Sequence, residues 1–418
     1  MNISNFSKEI IKRVKNNMFI ICLAISVLIF TFIILSVIKL NIASNKTANK
    51  VQQLSKKLEN YFGSVQGLRQ NPDYQKALLD YSDPDDAITK SYSGYHLRDF
   101  YIASSTHSIV CQKLYNGFIN IDMIGAVLDN GARLITLDIF SDSYCDTGRP
   151  VVSNNNPSKN ELYNQIGTFN YIDFDLVCQK ITSSAFSKND DPLLLSLKIH
   201  LDQLPEKNRE NVIEQVSKII TKRFKGRLLG TDYSYQRTVI GNAPIEDLFG
   251  KIVILCDKGF AGTSLDELVN YSWQERSTIA KDSKSPLFLL HYTSTQMNEV
   301  NSQGFDLLKI QNKKGMTIVD ADSGTSTTSV NYNMAFAWEA GCQCVGIDYF
   351  NSESVKVYES NVFDTSNQKF SEYSFILKPT DLRYIQEYIT YDKCQNPDFS
   401  MEPRKIDTGS SFGSGLEI

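Results

Sequence analysis

The chain has 418 residues, which is enough for one large core and accessory segments, since a (β/α)8 barrel takes roughly 250 residues. Its 43 basic and 47 acidic residues leave a net charge of −4 without a basic patch of the kind that binds nucleic acid, so we expect no nucleic-acid partner. The eight cysteines lack metal-binding spacing, and most are expected to be small buried residues.

The N-terminus begins with a basic flank, residues 1–17, followed by an apolar run over residues 18–40. A run of this length can cross the ~30 Å hydrocarbon core of a bilayer as a helix. No small-residue cleavage site follows it, so the pattern predicts a single-pass signal anchor, with a buried soluble helix as the alternative. The basic flank lies closest to the span, which favours a barrel on the lumenal or extracellular side. Sequons at Asn45 and Asn270 would allow glycosylation there.

Residues 41–87 are predicted to form a helical juxtamembrane segment. Apolar residues recur at gaps of three and four, which is typical of one face of an amphipathic helix: Val51, Leu54, Leu58, Phe62, Val65 and Leu68. We expect this face to pack on the barrel or to pair with a second copy. Turn-forming residues after Tyr81 place the start of the globular domain near Ile88.

Beyond this point strand-like and helix-like segments alternate, which predicts an α/β fold with a parallel sheet. The strand candidates are Phe100–Ala103, Leu134–Phe140, Leu193–Ile199, Lys251–Cys256, Leu287–His291, Thr317–Val319 and Cys344–Tyr349. Residues 208–224 form an amphipathic helix pattern, and residues 393–418 are predicted to be a disordered tail.

Seven motifs in order resemble the catalytic barrel of phosphoinositide-specific phospholipase C, in its X and Y halves. They are FYIASSTHSIV (100–110), NGARLITLDIF (130–140), RPVVSN (149–154), DDPLLLSLKIH (190–200), IEDLFGKIVIL (245–255), NYNMAFAWEAGCQCVGIDYF (331–350) and YSFILKPTDLR (373–383). The resemblance implies a TIM-barrel-like (β/α)8 phosphodiesterase fold. Its X-like half would cover 88–258 and its Y-like half 287–392, with a short linker over 259–286.

The family cleaves a phosphodiester by attack of the inositol 2-hydroxyl on phosphorus, with two histidines and a calcium ion. Carried over by position, the resemblance implies that His107 is the first histidine and Asp138 a calcium-ligand aspartate. Four other positions depart from the family pattern: Ser108, Thr136 and Lys198 replace calcium ligands, and Asn154 replaces the second histidine. Calcium needs about six to eight oxygen ligands, so we expect that this chain binds no calcium or other metal cofactor.

The family's phosphate-binding positions also differ. Leu255 and Asp257 stand near two family lysines, and the family's arginine aligns near Val319; Tyr332 matches a substrate-side tyrosine. Headgroups with additional phosphates should therefore bind poorly.

One alternative retains catalysis. Ser196, Lys198 and His200 alternate along a predicted strand and would face one side of the sheet. Lys198 could then act as a fixed cation in place of calcium, with His107 and His200 as acid and base. Alternatively, Lys198 forms a structural salt bridge with Asp138. His96 and His291 have no partners at informative spacing.

The primary functional hypothesis is a membrane-anchored phospholipase C-like protein with little or no activity, kept as a binding or scaffold module. The second is an active calcium-independent phosphodiesterase using His107, Asp138, Lys198 and His200 on a phosphatidylinositol-like lipid. The third is a structural membrane protein. In each case the expected partner is the lipid bilayer.

Overall fold

The structure is a computed structural model that describes residues 18–63, 65–81, 94–143, 148–157, 164–257, 259–275, 288–322, 334–360, 363, 368–384, 405–406 and 416–417. The chain divides into two compact units, Met1–Tyr384 and Ile385–Ile418. In the second unit, Lys405–Ile406 pairs antiparallel with Leu416–Glu417. The other residues of the predicted disordered tail lie outside the described part of the chain.

Helix α1 runs without a break from Met18 to Phe62, so the predicted span and the amphipathic segment are one helix. Its N-terminal part is apolar and exposed, and it is long enough to cross a membrane by length and composition. Its C-terminal part buries Val51, Leu58 and Phe62 in the main hydrophobic core. The amphipathic face therefore packs on the barrel, which is one of the two arrangements expected from its spacing.

The segment after α1 also belongs to the barrel domain. A 3-10 turn, Leu68–Gln70, leads into helix α2, Pro72–Tyr81. Leu68 and Tyr74 are buried, and the Tyr74 ring packs against Phe100 of the first barrel strand at a centroid distance of 5.9 Å. The predicted domain start near residue 88 is therefore wrong, because these apolar side chains form part of the barrel core.

Eight parallel strands close into a barrel. They are β1 (Phe100–Ser105), β2 (Leu134–Ser141), β7 (Leu193–Ile199), β8 (Ile252–Cys256), β9 (Tyr271–Glu275), β10 (Phe288–Thr293), β11 (Thr317–Asp320) and β12 (Cys344–Ile347). Neighbours in this order are paired in parallel, and β1 pairs with both β2 and β12, which closes the sheet. The predicted (β/α)8 TIM-barrel-like fold is confirmed, together with all seven predicted strands.

Short antiparallel strands extend the barrel at its edges. They are β3 (Pro150–Ser153) on β2, β6 (Ile172–Asp173) on β3 and β13 (Phe375–Leu377) on β1, with a separate pair β4 (Asn155–Pro157) and β5 (Asn164–Ile166). The remaining described helices are α3 (Asp122–Asp129), α4 (Phe174–Ser184), α5 (Glu206–Arg223), α6 (Ile245–Leu248), α7 (Ser294–Asn298), α8 (Ser302–Lys314), α9 (Met334–Glu339) and α10 (Ser352–Ser360). Side-chain caps begin several of them: the Asn301 carboxamide accepts a hydrogen bond from the Gly304 amide at 2.8 Å, at the start of α8.

The predicted linker over residues 259–286 contains the fifth barrel strand, β9. Its sequence, YSWQE, lacks the continuous apolar run by which the other buried strands were recognised. Strand β9 nevertheless pairs with β8 and β10 on its two sides. The assignment of this stretch to a linker was therefore wrong, because sheet pairing outweighs the weak local pattern.

Polarity rises along the barrel interior from one end to the other. At the N-terminal ends of the strands, apolar residues form one buried cluster that includes Ile102, Leu134, Leu194, Val253, Ile318 and Cys344. The next positions along β2 and β7 are Thr136 and Ser196, which are neighbours in register. Two residues further on are Asp138 and Lys198. Because the strands are parallel, their C-terminal ends meet at one edge, and charged residues gather there.

Candidate functional site at the barrel mouth

The C-terminal mouth of the barrel brings together three of the chain's four histidines, each beside an aspartate. The pairs are His107 with Asp348, His200 with Asp138, and His291 with Asp320. His107, His200 and Asp348 follow barrel strands, Asp320 ends β11, and Asp138 and His291 lie in the C-terminal halves of β2 and β10. In TIM barrels this edge is where catalytic residues from different strands meet.

His107 follows strand β1 in a left-handed backbone conformation, with φ of 45°. Such a conformation is uncommon for a residue with a Cβ atom and is often found at functional sites. A local turn holds it, since the Val110 amide donates to the His107 carbonyl at 2.8 Å. The strained conformation therefore indicates that His107 is a candidate site residue.

The buried Asp348 carboxylate fixes the His107 ring. The Nδ1 atom of His107 lies 2.8 Å from Oδ1 of Asp348, which also accepts a hydrogen bond from the Thr106 hydroxyl at 3.2 Å. Burial alone lowers the pKa of His107, but attraction to Asp348 outweighs burial, and the pKa is raised above its ordinary value. The buried Asp348 carboxylate thus stabilises the protonated form of the His107 ring.

A second imidazole lies on the neighbouring side of the mouth. His200 follows β7, and its Nε2 atom lies 2.7 Å from Oδ1 of Asp138 on β2. Its ring stacks on Phe140, with centroids 4.9 Å apart. Burial raises the pKa of Asp138, but hydrogen bonding to His200 and the positive charge of Lys198 outweigh burial, so the pKa is lowered. Asp138 is therefore held as a carboxylate.

The structure shows a salt bridge between Lys198 and Asp320, whereas the structural alternative paired Lys198 with Asp138. The Lys198 ammonium nitrogen lies 2.5 Å from Oδ2 of Asp320, and His291 Nε2 lies 2.8 Å from the same oxygen. Asp138 is the neighbour of Lys198 in the strand register, but the long lysine side chain reaches the end of strand β11. Burial opposes the charge of both groups, but their attraction outweighs it: the pKa of Lys198 is raised and that of Asp320 is lowered.

Asp257 lies in another part of the mouth, just after the end of β8. Its carboxylate accepts from the Ile199 amide, at 3.3 Å for each oxygen. Burial raises the pKa of Asp257 to about 7, although His200 and Lys198 act to lower it. Near neutral pH this group titrates, so the net charge of the mouth depends on pH.

The side chains at three of the family's four calcium-ligand positions, Ser108, Asp138 and Lys198, are engaged in other contacts. The Ser108 hydroxyl donates to the Ser105 carbonyl and accepts from the Thr136 amide, both at 3.0 Å. Asp138 is paired with His200, and Lys198 brings a positive charge to this place. Within the described ranges, no group of three or more His, Cys, Asp or Glu residues is arranged to hold a metal ion.

Asn154, at the position of the family's second histidine, is buried in a structural contact. Its side-chain amide donates to the Leu114 carbonyl at 2.7 Å, and its backbone carbonyl accepts from the Gly167 amide. It therefore holds two loops together near the mouth and carries no titratable group. Any second proton-transfer group in the mouth has to come from another strand.

Asp320, Asp348 and His291 were not among the predicted site residues. His291 was given no site role because no partner lies at an informative spacing in the sequence, and the fold brings it to Asp320. Val319 aligns with the family arginine. It is buried in the main hydrophobic core, and the mouth contains its neighbour Asp320. One sequence signal was available: Asp320 directly follows the predicted strand Thr317–Val319, and Asp348 lies near the end of the predicted strand Cys344–Tyr349. Tyr332 lies outside the described residues.

The remaining sequence predictions have separate outcomes. Cys111, Cys178, Cys256, Cys342 and Cys344 are free and buried, as expected for small core residues. Asn270 of the second sequon is 3% exposed, and its side chain accepts from the Ile254 amide and donates to the Tyr233 carbonyl. That sequon cannot serve for glycosylation in the folded barrel, because its asparagine is a core contact.

The closed eight-stranded barrel is the fold that the resemblance to phosphoinositide-specific phospholipase C implied. Residues 95–258 match the family model described as phosphatidylinositol-specific phospholipase C, X domain. The chain therefore carries an X domain of the phosphatidylinositol-specific phospholipase C family, as the resemblance of the X-half motifs predicted. A search of curated protein sequences found no match.

Solved structures show the same fold over a larger part of the chain. PLC21 of S. officinalis aligns with a TM-score of 0.55 and 20% identity over 71% of this chain. PLC21 of L. pealei aligns with a TM-score of 0.52 and 20% identity over 70% of this chain. In each case the alignment spans 38% of the PLC21 chain. At this identity the likeness concerns the fold of the barrel.

Proposed function

We propose that the barrel mouth is a calcium-independent phosphodiesterase site for a phosphatidylinositol-like lipid or another glycerophosphodiester. The contact between His107 and the buried Asp348 carries this proposal. It fixes Nδ1 and leaves Nε2 as the ring atom through which His107 can exchange a proton with a substrate. We would not expect an inactive site to retain a histidine in a strained conformation beside a buried carboxylate, together with two further imidazole–carboxylate pairs.

The reaction that suits these groups is attack of a headgroup hydroxyl on phosphorus. The new P–O bond forms as the bond to the lipid alcohol breaks. The attacking hydroxyl gives its proton to one imidazole, and the leaving oxygen receives a proton from the other. His107, whose pKa is raised, donates its proton to the leaving lipid oxygen, and His200 accepts the proton of the attacking hydroxyl. General acid–base catalysis of this kind contributes about 10²–10⁴-fold to a rate.

A fixed ammonium takes the electrostatic part that calcium plays in the family. The Lys198 charge acts on His107, on Asp138 and on Asp320, so it lies among the reacting groups of the mouth. A preorganised cation in a site of low dielectric stabilises the charge on phosphorus without having to reorganise. The engaged calcium-ligand positions described above support the same assignment.

The charge of the mouth favours headgroups without additional phosphates. Besides the three paired aspartates it contains Asp257, at a position where the family has a lysine. A second phosphate on the headgroup would lack the charge-assisted hydrogen bond of the family's lysine and would meet Asp257 at that position. Phosphatidylinositol should be cleaved at least about tenfold faster than its bisphosphate, since tenfold corresponds to about 1.4 kcal/mol, less than one charge-assisted hydrogen bond.

Helix α1 would keep the barrel beside its substrate. Its exposed apolar half is long enough to cross a bilayer, and its other half is packed into the barrel core. A span continuous with a packed helix restrains the barrel near the membrane surface and raises its effective concentration there. Anchoring by α1, as a single-pass span, is part of this proposal.

The test uses the full chain in lipid nanodiscs that contain phosphatidylinositol, with release of inositol phosphate as the measurement. We expect turnover that is equal in calcium and in chelator and that falls at least about 100-fold in His107→Gln. The matched control is His96→Gln, because His96 lies before β1, at the opposite end of the barrel, beside Asp99. Turnover that requires calcium would sink the proposal. A folded protein without any turnover would favour the scaffold hypothesis.

A further inference from the structure

The contact between Lys198 and Asp320 spans the mouth of the barrel. Counted around the closed sheet from β1, strand β7 is third and strand β11 is seventh, so the two strands face each other. A side chain from one reaches the carboxylate of the other at 2.5 Å. The ammonium of Lys198 is therefore held toward the middle of the mouth instead of lying against its own strand.

Asp320 is built into the barrel as a fixed group. It ends strand β11, its residue is 3% exposed, and one carboxylate oxygen accepts from both Lys198 and His291. Its other oxygen, Oδ1, is buried and has no hydrogen-bond partner among the described residues. His291 approaches from the adjacent strand β10 and restrains the carboxylate from the side. Two donors on one oxygen fix the place of the carboxylate and, through it, the place of the ammonium.

From this geometry we infer that Asp320 is the positioning residue that holds the Lys198 ammonium in the middle of the mouth as the fixed cation of the reaction. This role rests on the proposed function. It also couples the two halves of the chain, because Lys198 belongs to the X domain and Asp320 lies outside it. A complete site thus requires strands from both halves of the barrel.

Other carboxylates explain why a positioning residue is needed. The charged groups that act on Lys198 are Asp320, Asp138 and Asp257, and its own charge acts on His107. Without Asp320, the ammonium would be drawn toward Asp138 and Asp257, on strands β2 and β8 beside its own. That displacement moves the positive charge from the centre of the mouth to its wall, away from a phosphate held by His107.

The experiment compares kcat and KM of the full chain in phosphatidylinositol nanodiscs. Asp320→Asn should lower kcat about 100-fold, as removal of one preorganised charge-stabilising group does, while KM changes less than about threefold. Asp320→Glu, which keeps the charge, should restore part of kcat. The matched control is Asp322→Asn, two residues further along, which hydrogen-bonds Ser294 and Thr295 at the start of α7. It should leave kcat unchanged.

A double variant separates positioning from a general loss of stability. Lys198→Met with Asp320→Asn removes both charges, so no buried ion is left unpaired. We expect its kcat to equal that of Lys198→Met alone, because Asp320 acts through Lys198. A wild-type kcat in Asp320→Asn would overturn this role alone. So would a double variant whose loss of kcat is the product of the losses in the two single variants. A wild-type protein without turnover would overturn the proposed function and this role with it.

Discussion

The Nδ1 atom of His107 lies 2.8 Å from Oδ1 of Asp348, and this contact joins the ends of β1 and β12, the first and last strands of the barrel. Asp348 is fully buried, so its charge acts on the imidazole with little screening by water. The contact therefore links the first and last strands of the barrel. The charge of Asp348 is also the main cause of the raised pKa of His107.

Removing the charge of Asp348 should lower the pKa of His107. In Asp348→Asn the attraction is lost and burial remains, so the imidazole should become neutral at a lower pH than in the wild type. The measurement is a pH titration of the histidine ring resonances by NMR, with His107 assigned from the His107→Gln spectrum. Turnover should fall by about 10- to 100-fold, within the range of acid–base contributions. An unchanged His107 titration would show that another group sets its protonation.

Stability should decrease with pH in the window in which Asp257 titrates. Its folded pKa is raised to about 7, while an unfolded aspartate titrates near about 4. Between these values the folded state binds more protons, so the stabilisation present at acidic pH is lost as pH rises through about 7. Asp257→Asn should remove this part of the pH dependence and be relatively more stable above pH 7.

The comparison is made by chemical unfolding of the full chain in detergent at several pH values. Asp191, whose pKa burial raises to about 6, contributes a slope of the same sign, so the difference between wild type and variant is the relevant quantity. Asp306→Asn, at an exposed position on α8, is the control. An Asp257→Asn variant with the wild-type slope would contradict the assignment.

Asn270→Gln should destabilise the barrel and should not change its glycosylation. The Asn270 side chain satisfies the Ile254 amide on β8 at 2.8 Å, and a longer side chain cannot keep this contact in the same space. A buried amide left unsatisfied costs about 1–3 kcal/mol of unfolding free energy. The exposed Asn45 of the other sequon provides the control, since Asn45→Gln should unfold at the wild-type denaturant concentration. A glycan at Asn270 on the folded protein would refute its placement in the core.

A chain that starts at residue 88 should lose cooperative unfolding, whereas one that starts at residue 41 should keep it. The shorter form lacks Phe62, Leu68 and Tyr74, which are all buried in the domain. Full burial of one large apolar side chain is worth about 1.5–3 kcal/mol, and three of them approach the whole stability of a typical domain. Thermal unfolding followed by tryptophan fluorescence compares the two forms, and equal melting temperatures would contradict this prediction.

The alternation of apolar runs and amphipathic segments was enough to predict the barrel. Leu193–Ile199 is recognisable because seven consecutive residues are suited to a strand buried on both sides. Strand β9 was missed because its residues carry no such signal and its pairing depends on strands on both sides. The helical face from Val51 to Phe62 was predicted by its spacing, but the surface that it covers was not.

The sequence by itself determined which groups the mouth can contain, since the strand ends carry His107, Asp138, Lys198 and Asp257 at positions readable from the pattern. Only the tertiary structure decided which of them meet. Lys198 is in register with Asp138 and yet pairs with Asp320, because barrel closure places β7 and β11 face to face and a lysine side chain is long enough to cross between them. Pairing across a barrel depends on closure of the sheet, which no local spacing in the chain records.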